Sequence, residues 1–144
     1  MKKLKWYGIL FALFILFLYI MGIYDIFMML SHNLQYYLQK RYSEDVVIYF
    51  TNYPLYMLVF WITNLACGIL SPVLYLLKKN CAFIVSLTSG IADFILILLG
   101  LMFRNRFKVL GSNIFCFDVF ILIITLLYGI YLYHDYKKLS YKEN

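Results

Sequence analysis

Four long apolar blocks alternate along the chain with short polar segments. The first runs uncharged from Trp6 to Tyr24 after a start of Met1-Lys2-Lys3-Leu4-Lys5, and its apolar character continues to about Leu30. The other blocks cover about 54–77, 81–103 and 113–133. A helix needs about 20 apolar residues to cross the hydrocarbon of a bilayer, and each block has that length. The pattern predicts an all-α fold, a four-helix transmembrane bundle forming one integral membrane domain over 1–144. The first block is too long for the apolar core of a secretory leader, and no small-residue cleavage site follows it. It reads as a signal anchor.

The segments between the blocks have their own signals. The connector 31–53 holds His32, Lys40, Arg41, Glu44 and Asp45. Ser43-Glu44-Asp45 ahead of Val46-Val47-Ile48 has the composition of a helix start, with a capping hydroxyl and acids in the first turn. A short interfacial helix is expected there. Pro54 suits a first helical turn, and Pro72 falls inside the second span. Lys78-Lys79-Asn80 is so short a link that spans 2 and 3 must be antiparallel neighbours. A basic loop is expected over 104–111, with Ser112-Asn113 opening the fourth span. The tail 134–144 reads as short, charged and mobile.

Composition strengthens the membrane reading. Hydrophobic residues make up 65% of the chain and charged residues 14%. Soluble domains have about 45–50% and 25%, and a soluble domain of this size has no way to bury such a surplus. The net charge of +6 falls at the ends of spans and forms no long stripe, which argues against nucleic acid as a partner. The implied partner is the lipid bilayer. With the N-terminus inside, Lys2, Lys3, Lys5, Lys78, Lys79, Lys137, Lys138 and Lys142 are cytoplasmic. Lys40, Arg41, Arg104, Arg106 and Lys108 are then external. The excess favours both termini in the cytoplasm, with the 104–108 cluster dissenting.

Polar residues inside the blocks carry the functional question. Asp25, Asp93 and Asp118 lie within spans, where an ionised Asp at mid-helix costs about 2.5–3.5 kcal/mol on insertion scales. Helical steps of three, four or seven place Ala82, Ser86, Ser89, Gly90, Asp93 and Gly100 on one face. Asn64, Cys67, Gly68 and Ser71 form a similar stripe on span 2, and Asp118, Thr125 and Gly129 on span 4. On span 1, Gly22 pairs with Asp25 and Gly8 with Ala12. Small and polar faces of this kind pack helices closely and hydrogen-bond across them.

At 1.5 Å per residue, Asp25 and Asp118 lie roughly 8 Å below the outer end, with Asp93 and Asn64 near the midplane. The expected arrangement is a polar funnel flanked at its mouth by His32, Arg104 and Arg106. The candidate ligand- or ion-binding residues are Asp93, Asn64, Asp25, Asp118 and Ser89. Two readings stand side by side. These residues handle a solute, proton or cation, or they simply pair with neighbours and lock the helices together.

Catalytic chemistry has little support. The chain contains no phosphate-binding glycine loop, no H-E-x-x-H and no G-x-S-x-G. His32 and His134 fall at opposite faces of the membrane and do not share a metal. Asp93 with Ser89 is the one local catalytic pairing, and Ser89 lacks a suitable base. Cys67, Cys81 and Cys116 match no metal or redox spacing, and Cys67 and Cys116 read as small packing residues. No catalytic residue, metal or cofactor is expected.

The stretch Tyr49-Phe50-Thr51-Asn52-Tyr53-Pro54, then Trp61, Gly68-Ile69-Leu70 and Leu76-Leu77-Lys78-Lys79, has companions in Lys5-Trp6-Tyr7 and Tyr24-Asp25. In these segments, spread over most of the chain, it resembles a family of small bacterial four-span membrane proteins, some labelled as sugar transporters. The resemblance implies four spans and an inner-membrane address, and hands over no functional residues. A sugar site would call for aromatic stacking, for which Trp61 and Tyr56 are available, though both suit an interface equally well. A bundle this thin would need a homo-oligomer or a membrane protein partner to enclose a pathway. The competing role is a structural or accessory subunit without transport of its own.

Overall fold

A computed structural model describes the backbone of residues 4–143 and the side chains of 4–138. Lys2, Lys3, the side chain of Lys142 and the chain end at Asn144 lie outside the described residues. The described chain is helical throughout: α1 (Trp6–Leu30), α2 (Leu34–Gln39), α3 (Glu44–Thr51), α4 (Leu55–Leu76), α5 (Ala82–Arg104) and α6 (Arg106–Glu143). Four of these, α1, α4, α5 and α6, are long and apolar enough to cross a membrane. Their apolar outer faces, such as Phe17 and Ile20 on α1 and Ile84 and Ile91 on α5, are exposed, as lipid-facing positions must be. α5 packs chiefly against α4 and α6, and α1 packs against α4.

The helices stop by a shared device. At the ends of α1, α2 and α4, the residues His32, Arg41 and Lys78 adopt left-handed backbone conformations, with φ of 53°, 54° and 62°. Two backbone bonds close each end. After α4, Lys78 N–H reaches Tyr75 O at 2.9 Å and Lys79 N–H reaches Leu74 O at 2.8 Å. This paired pattern satisfies carbonyls that a helix end otherwise leaves open. It turns the chain within a few residues, and α4 and α5 run back as the antiparallel pair expected from the short link. Ser71 Oγ ties them further by donating to Ala82 O at 2.9 Å.

The connector holds two short helices, one more than expected. α3 begins after Ser43 with Glu44 and Asp45 in its first turn, although the Ser43 side chain makes no capping bond. α2 is the addition. Its signal is Asn33, whose side chain accepts from Tyr36 N–H at 3.1 Å, a standard N-cap bond.

The fourth span departs from expectation at both ends. The predicted loop 104–111 contracts to one left-handed residue, Asn105 with φ of 47°, a conformation that Asn tolerates. Helix resumes at Arg106 and breaks at Gly111, where φ is 82° and ψ 168°. The predicted start at Ser112-Asn113 is therefore the point where the helix resumes. At the far end α6 continues through 134–143 as helix. Charged residues leaving a bilayer do not end a helix when neither Gly nor Pro is present. Phe83 stacks on Tyr136 with ring centroids 5.1 Å apart and holds this extension to α5.

Candidate functional site

The four spans meet in a buried hydrogen-bond network, and each contributes to it. α5 supplies Ser89 and Asp93, and every small or polar residue predicted for its inner face (Ala82, Ser86, Ser89, Gly90, Asp93 and Gly100) is buried. α4 supplies Asn64, α6 supplies Thr125, and α1 supplies Tyr19. The Tyr19 hydroxyl is the hub. It lies 3.1 Å from Asn64 Oδ1, 2.9 Å from Ser89 Oγ and 2.8 Å from Thr125 Oγ1.

Proton counting orders the network. Tyr19 and Ser89 each carry one hydroxyl hydrogen. Ser89 Oγ is 2.7 Å from Asn64 Oδ1 and 2.8 Å from the Asn64 carbonyl, so it has two acceptors on one residue. Tyr19 donates to Asn64 Oδ1. The amide oxygen of Asn64 is thereby covered, and its amide nitrogen is free to donate to Asp93 Oδ1 at 3.0 Å. Asn64 thus faces hydroxyls on one side and a carboxyl group on the other. Asp93 Oδ2 is buried without a partner among the described residues.

The remaining predicted site residues sit elsewhere. Asp25 accepts a hydrogen bond from the Tyr36 hydroxyl of α2, so it anchors the connector. Asp118 accepts from Arg106 Nη2 at 2.7 Å and Nε at 3.0 Å. The structure therefore unites Asn64, Ser89 and Asp93, while Asp25 and Asp118 each take a separate partner. Of the residues expected at a funnel mouth, Arg106 is buried beside Asp118, and Arg104 reaches the connector. Arg104 donates to the carbonyls of Asn52 (3.2 Å) and Tyr49, with its guanidinium 4.6 Å from the Tyr49 ring centroid. His32 is exposed.

Other expectations fare unevenly. The Ser89 hydroxyl faces Asn64 and Tyr19 rather than Asp93, which leaves the one local catalytic pairing without its contact. Cys116 is exposed and Cys67 only half-buried, so Cys116 does not fill the core. Trp61 packs against Tyr53 and Phe50 at centroid distances of 5.3 and 5.9 Å, while Tyr56 is exposed.

Tyr19 and Arg106 lie outside the candidate ligand-binding residues that the sequence supplies. Tyr19 was legible by projection. The Gly8–Ala12 stripe, continued in helical steps, passes through Ile15 and Tyr19, and these residues are all buried. Arg106 had a quieter signal in Gly100. A Cβ at Gly100 would come within 2.7 Å of Arg106 Cδ, so the absent side chain is what lets the arginine lie along α5.

Near the connector the tyrosines have shifted ionisation. Burial pushes the Tyr36 hydroxyl well above its ordinary value, and its bond to Asp25 adds to the shift. Burial likewise raises Tyr53, against the opposing influence of the Arg106 charge. Both hydroxyls act as neutral hydrogen-bonding groups at physiological pH.

No family model, curated protein or solved structure matches the chain.

Proposed function

We propose that this multi-pass membrane protein handles protons, with Asp93 as the proton-binding group at the centre of the bundle. The observation that carries this reading is the one-sided partnering of Asp93. One carboxyl oxygen is fixed by Asn64 and the other is buried without a partner among the described residues. A carboxyl group placed among four spans at such cost is a functional site by default. Its position is rigid, because Asn64 is itself held by Tyr19 and Ser89. A proton is the smallest cargo and needs no wide pathway through so thin a bundle. The reading assigns no chemical reaction to the chain. It places the protein in a bacterial inner membrane with both termini cytoplasmic, on the resemblance and the cation count.

The test is flux through purified protein in liposomes, with a pH dye inside and an imposed potential. Wild-type protein should conduct protons, and Asp93→Asn, which keeps the shape, should lose most of that flux while inserting and folding normally. Equal flux from the folded variant would sink the reading.

A second reading is an accessory subunit that conducts nothing. The separate partners of Asp25 and Asp118 favour it, since both carboxylates are accounted for structurally. Cross-linking in native membranes separates the two. A homo-oligomer supports conduction, and a stable complex with a larger membrane protein supports the accessory role.

A further inference from the structure

Among the described residues, four buried polar atoms on the connector side of the network have no protein partner: Tyr49 OH, Tyr53 OH, Arg106 Nη1 and Asp93 Oδ2. They come from α3, the link that follows it, α6 and α5. Tyr49, Arg106 and Asp93 are only 4%, 7% and 6% exposed. Arg106 is the group that joins them. Arg106 is within electrostatic reach of Tyr49, Tyr53 and Asp118, and Asp93 is within reach of Arg106 and Asp118. Gly100 supplies the geometry. It lies seven residues beyond Asp93, hence on the same face of α5, and the Arg106 side chain passes directly over it.

The chemistry of this set selects its occupant. Arg106 Nη1 only donates, a protonated Asp93 carboxyl donates or accepts, and each tyrosine hydroxyl does either. With Asp93 protonated, the Arg106 charge is balanced by Asp118 at 2.7 Å, so the site carries no net charge to select an ion. What fits is a small neutral molecule that both donates and accepts. Leaving such an atom buried and unpaired is costly, and a buried water with two to four polar partners removes that cost. On the other side of Asp93 the Tyr19 hydroxyl already has three partners. Beyond this hub lies the core of Ala12, Ile15, Tyr75 and Tyr128, where the Tyr128 hydroxyl is a further buried group without a partner among the described residues, set apart from Asp93 by the hub.

We propose that ordered water occupies a site bounded by Tyr49, Tyr53, Arg106 and Asp93, and that this water connects Asp93 to the connector side of the membrane alone. The site stands on the geometry, while its consequence, one-sided proton exchange at Asp93, rests on the proton-handling reading above.

Hydroxyl-radical footprinting of the intact chain in lipid nanodiscs tests the site. Radicals made from a bound water oxidise the tyrosines beside it, buried or not. Tyr49 should be oxidised several-fold faster than Tyr19, which is equally buried but paired within the bundle, and the half-buried Tyr53 should follow Tyr49. Rates equal to that of Tyr19 would overturn the proposal. Oxidation of Tyr128 as fast as that of Tyr49 would overturn its one-sidedness. The experiment needs no variant and no flux. Labelled tyrosines with an inert Asp93→Asn phenotype would remove the proton reading alone. Dry tyrosines with Asp93-dependent flux would remove the hydration site alone.

Discussion

The ring of Tyr19 on α1 occupies the notch that Gly68 leaves on α4. A Cβ built at Gly68 would collide with three carbons of that ring. The hydroxyl at the end of the ring is the hub that ties α1 to Asn64, Ser89 and Thr125. A glycine on α4 thus positions a hydroxyl of α1 that bonds to α4, α5 and α6.

Gly68→Ala should therefore act through Tyr19. The methyl group forces the ring outward and costs about 1–3 kcal/mol, the usual penalty for overpacking. Tyr19→Phe keeps the ring and removes only the hydroxyl, and should cost about 0.6–1.7 kcal/mol, as for hydrogen bonds between membrane helices. Combining the two should cost less than their sum, because a displaced Tyr19 has already left its partners. Unfolding of the purified variants in mixed detergent and denaturant measures all three. Strict additivity would show that Gly68 does not position the hydroxyl.

The contrast between Asp93 and Tyr19 shows what was readable before the structure. Four spans follow from the bilayer's demand for about 20 apolar residues. The polar face of α5 was legible because serines, glycines and one aspartate at helical spacing stand out in an apolar helix. Tyr19 did not stand out, since the chain has 15 tyrosines and an interfacial role suits any of them. The partner of Asp25 was hidden for a different reason. Tyr36 reaches it only because α2 exists, and a helix from Leu34 to Gln39 is too short to show a periodicity. The start of α6 was missed because Asn105 makes in one left-handed residue a turn for which a longer loop was expected.

The bond from Tyr36 to Asp25 predicts a pH dependence at the connector. Folding raises the ionisation range of the Tyr36 hydroxyl, first by burial and then by its bond to Asp25. Above about pH 10, the ordinary tyrosine value, the unfolded chain loses this proton while the folded chain keeps it. The unfolded state then binds fewer protons, so stability falls as pH rises. The contribution is complete below pH 10 and disappears progressively above it. Tyr36→Phe should flatten the alkaline part of the stability curve, and Asp25→Asn should flatten it less, since burial remains. Unfolding midpoints measured from pH 8 to 11 check this. An unchanged slope in Tyr36→Phe would refute it.

Lys78 bears the left-handed turn between α4 and α5 with φ of 62°. A side chain in that conformation costs roughly 1–2 kcal/mol relative to a right-handed one. Lys78→Gly relieves the strain but adds freedom to the unfolded chain worth about 0.4–1 kcal/mol, so the net gain should be up to about 1.6 kcal/mol. The backbone bonds from Lys78 and Lys79 to Tyr75 and Leu74 do not involve the side chain and should persist. A higher midpoint in thermal unfolding is the expected result. A lower midpoint would mean that the lysine side chain holds the turn by some other contact.

The ion pair of Arg106 and Asp118 should respond asymmetrically to loss of either partner. The Arg106 side chain is 8% exposed and that of Asp118 21%. Removing one member of a buried pair typically costs about 3–5 kcal/mol, because the other charge is left uncompensated. Asp118→Leu strands the more buried charge and should fall at the upper end of that range. Arg106→Met strands a carboxylate with partial access to its surroundings and should cost less. The double variant Arg106→Met with Asp118→Leu removes both charges and keeps much of the volume. It should recover most of the stability lost by Asp118→Leu, since apolar replacements of buried pairs are often neutral or better. Comparing the unfolding free energies of the three variants isolates the pair from the packing around it. A double variant as unstable as Asp118→Leu would mean that the arginine stem along Gly100, rather than its charge, supports this end of the bundle.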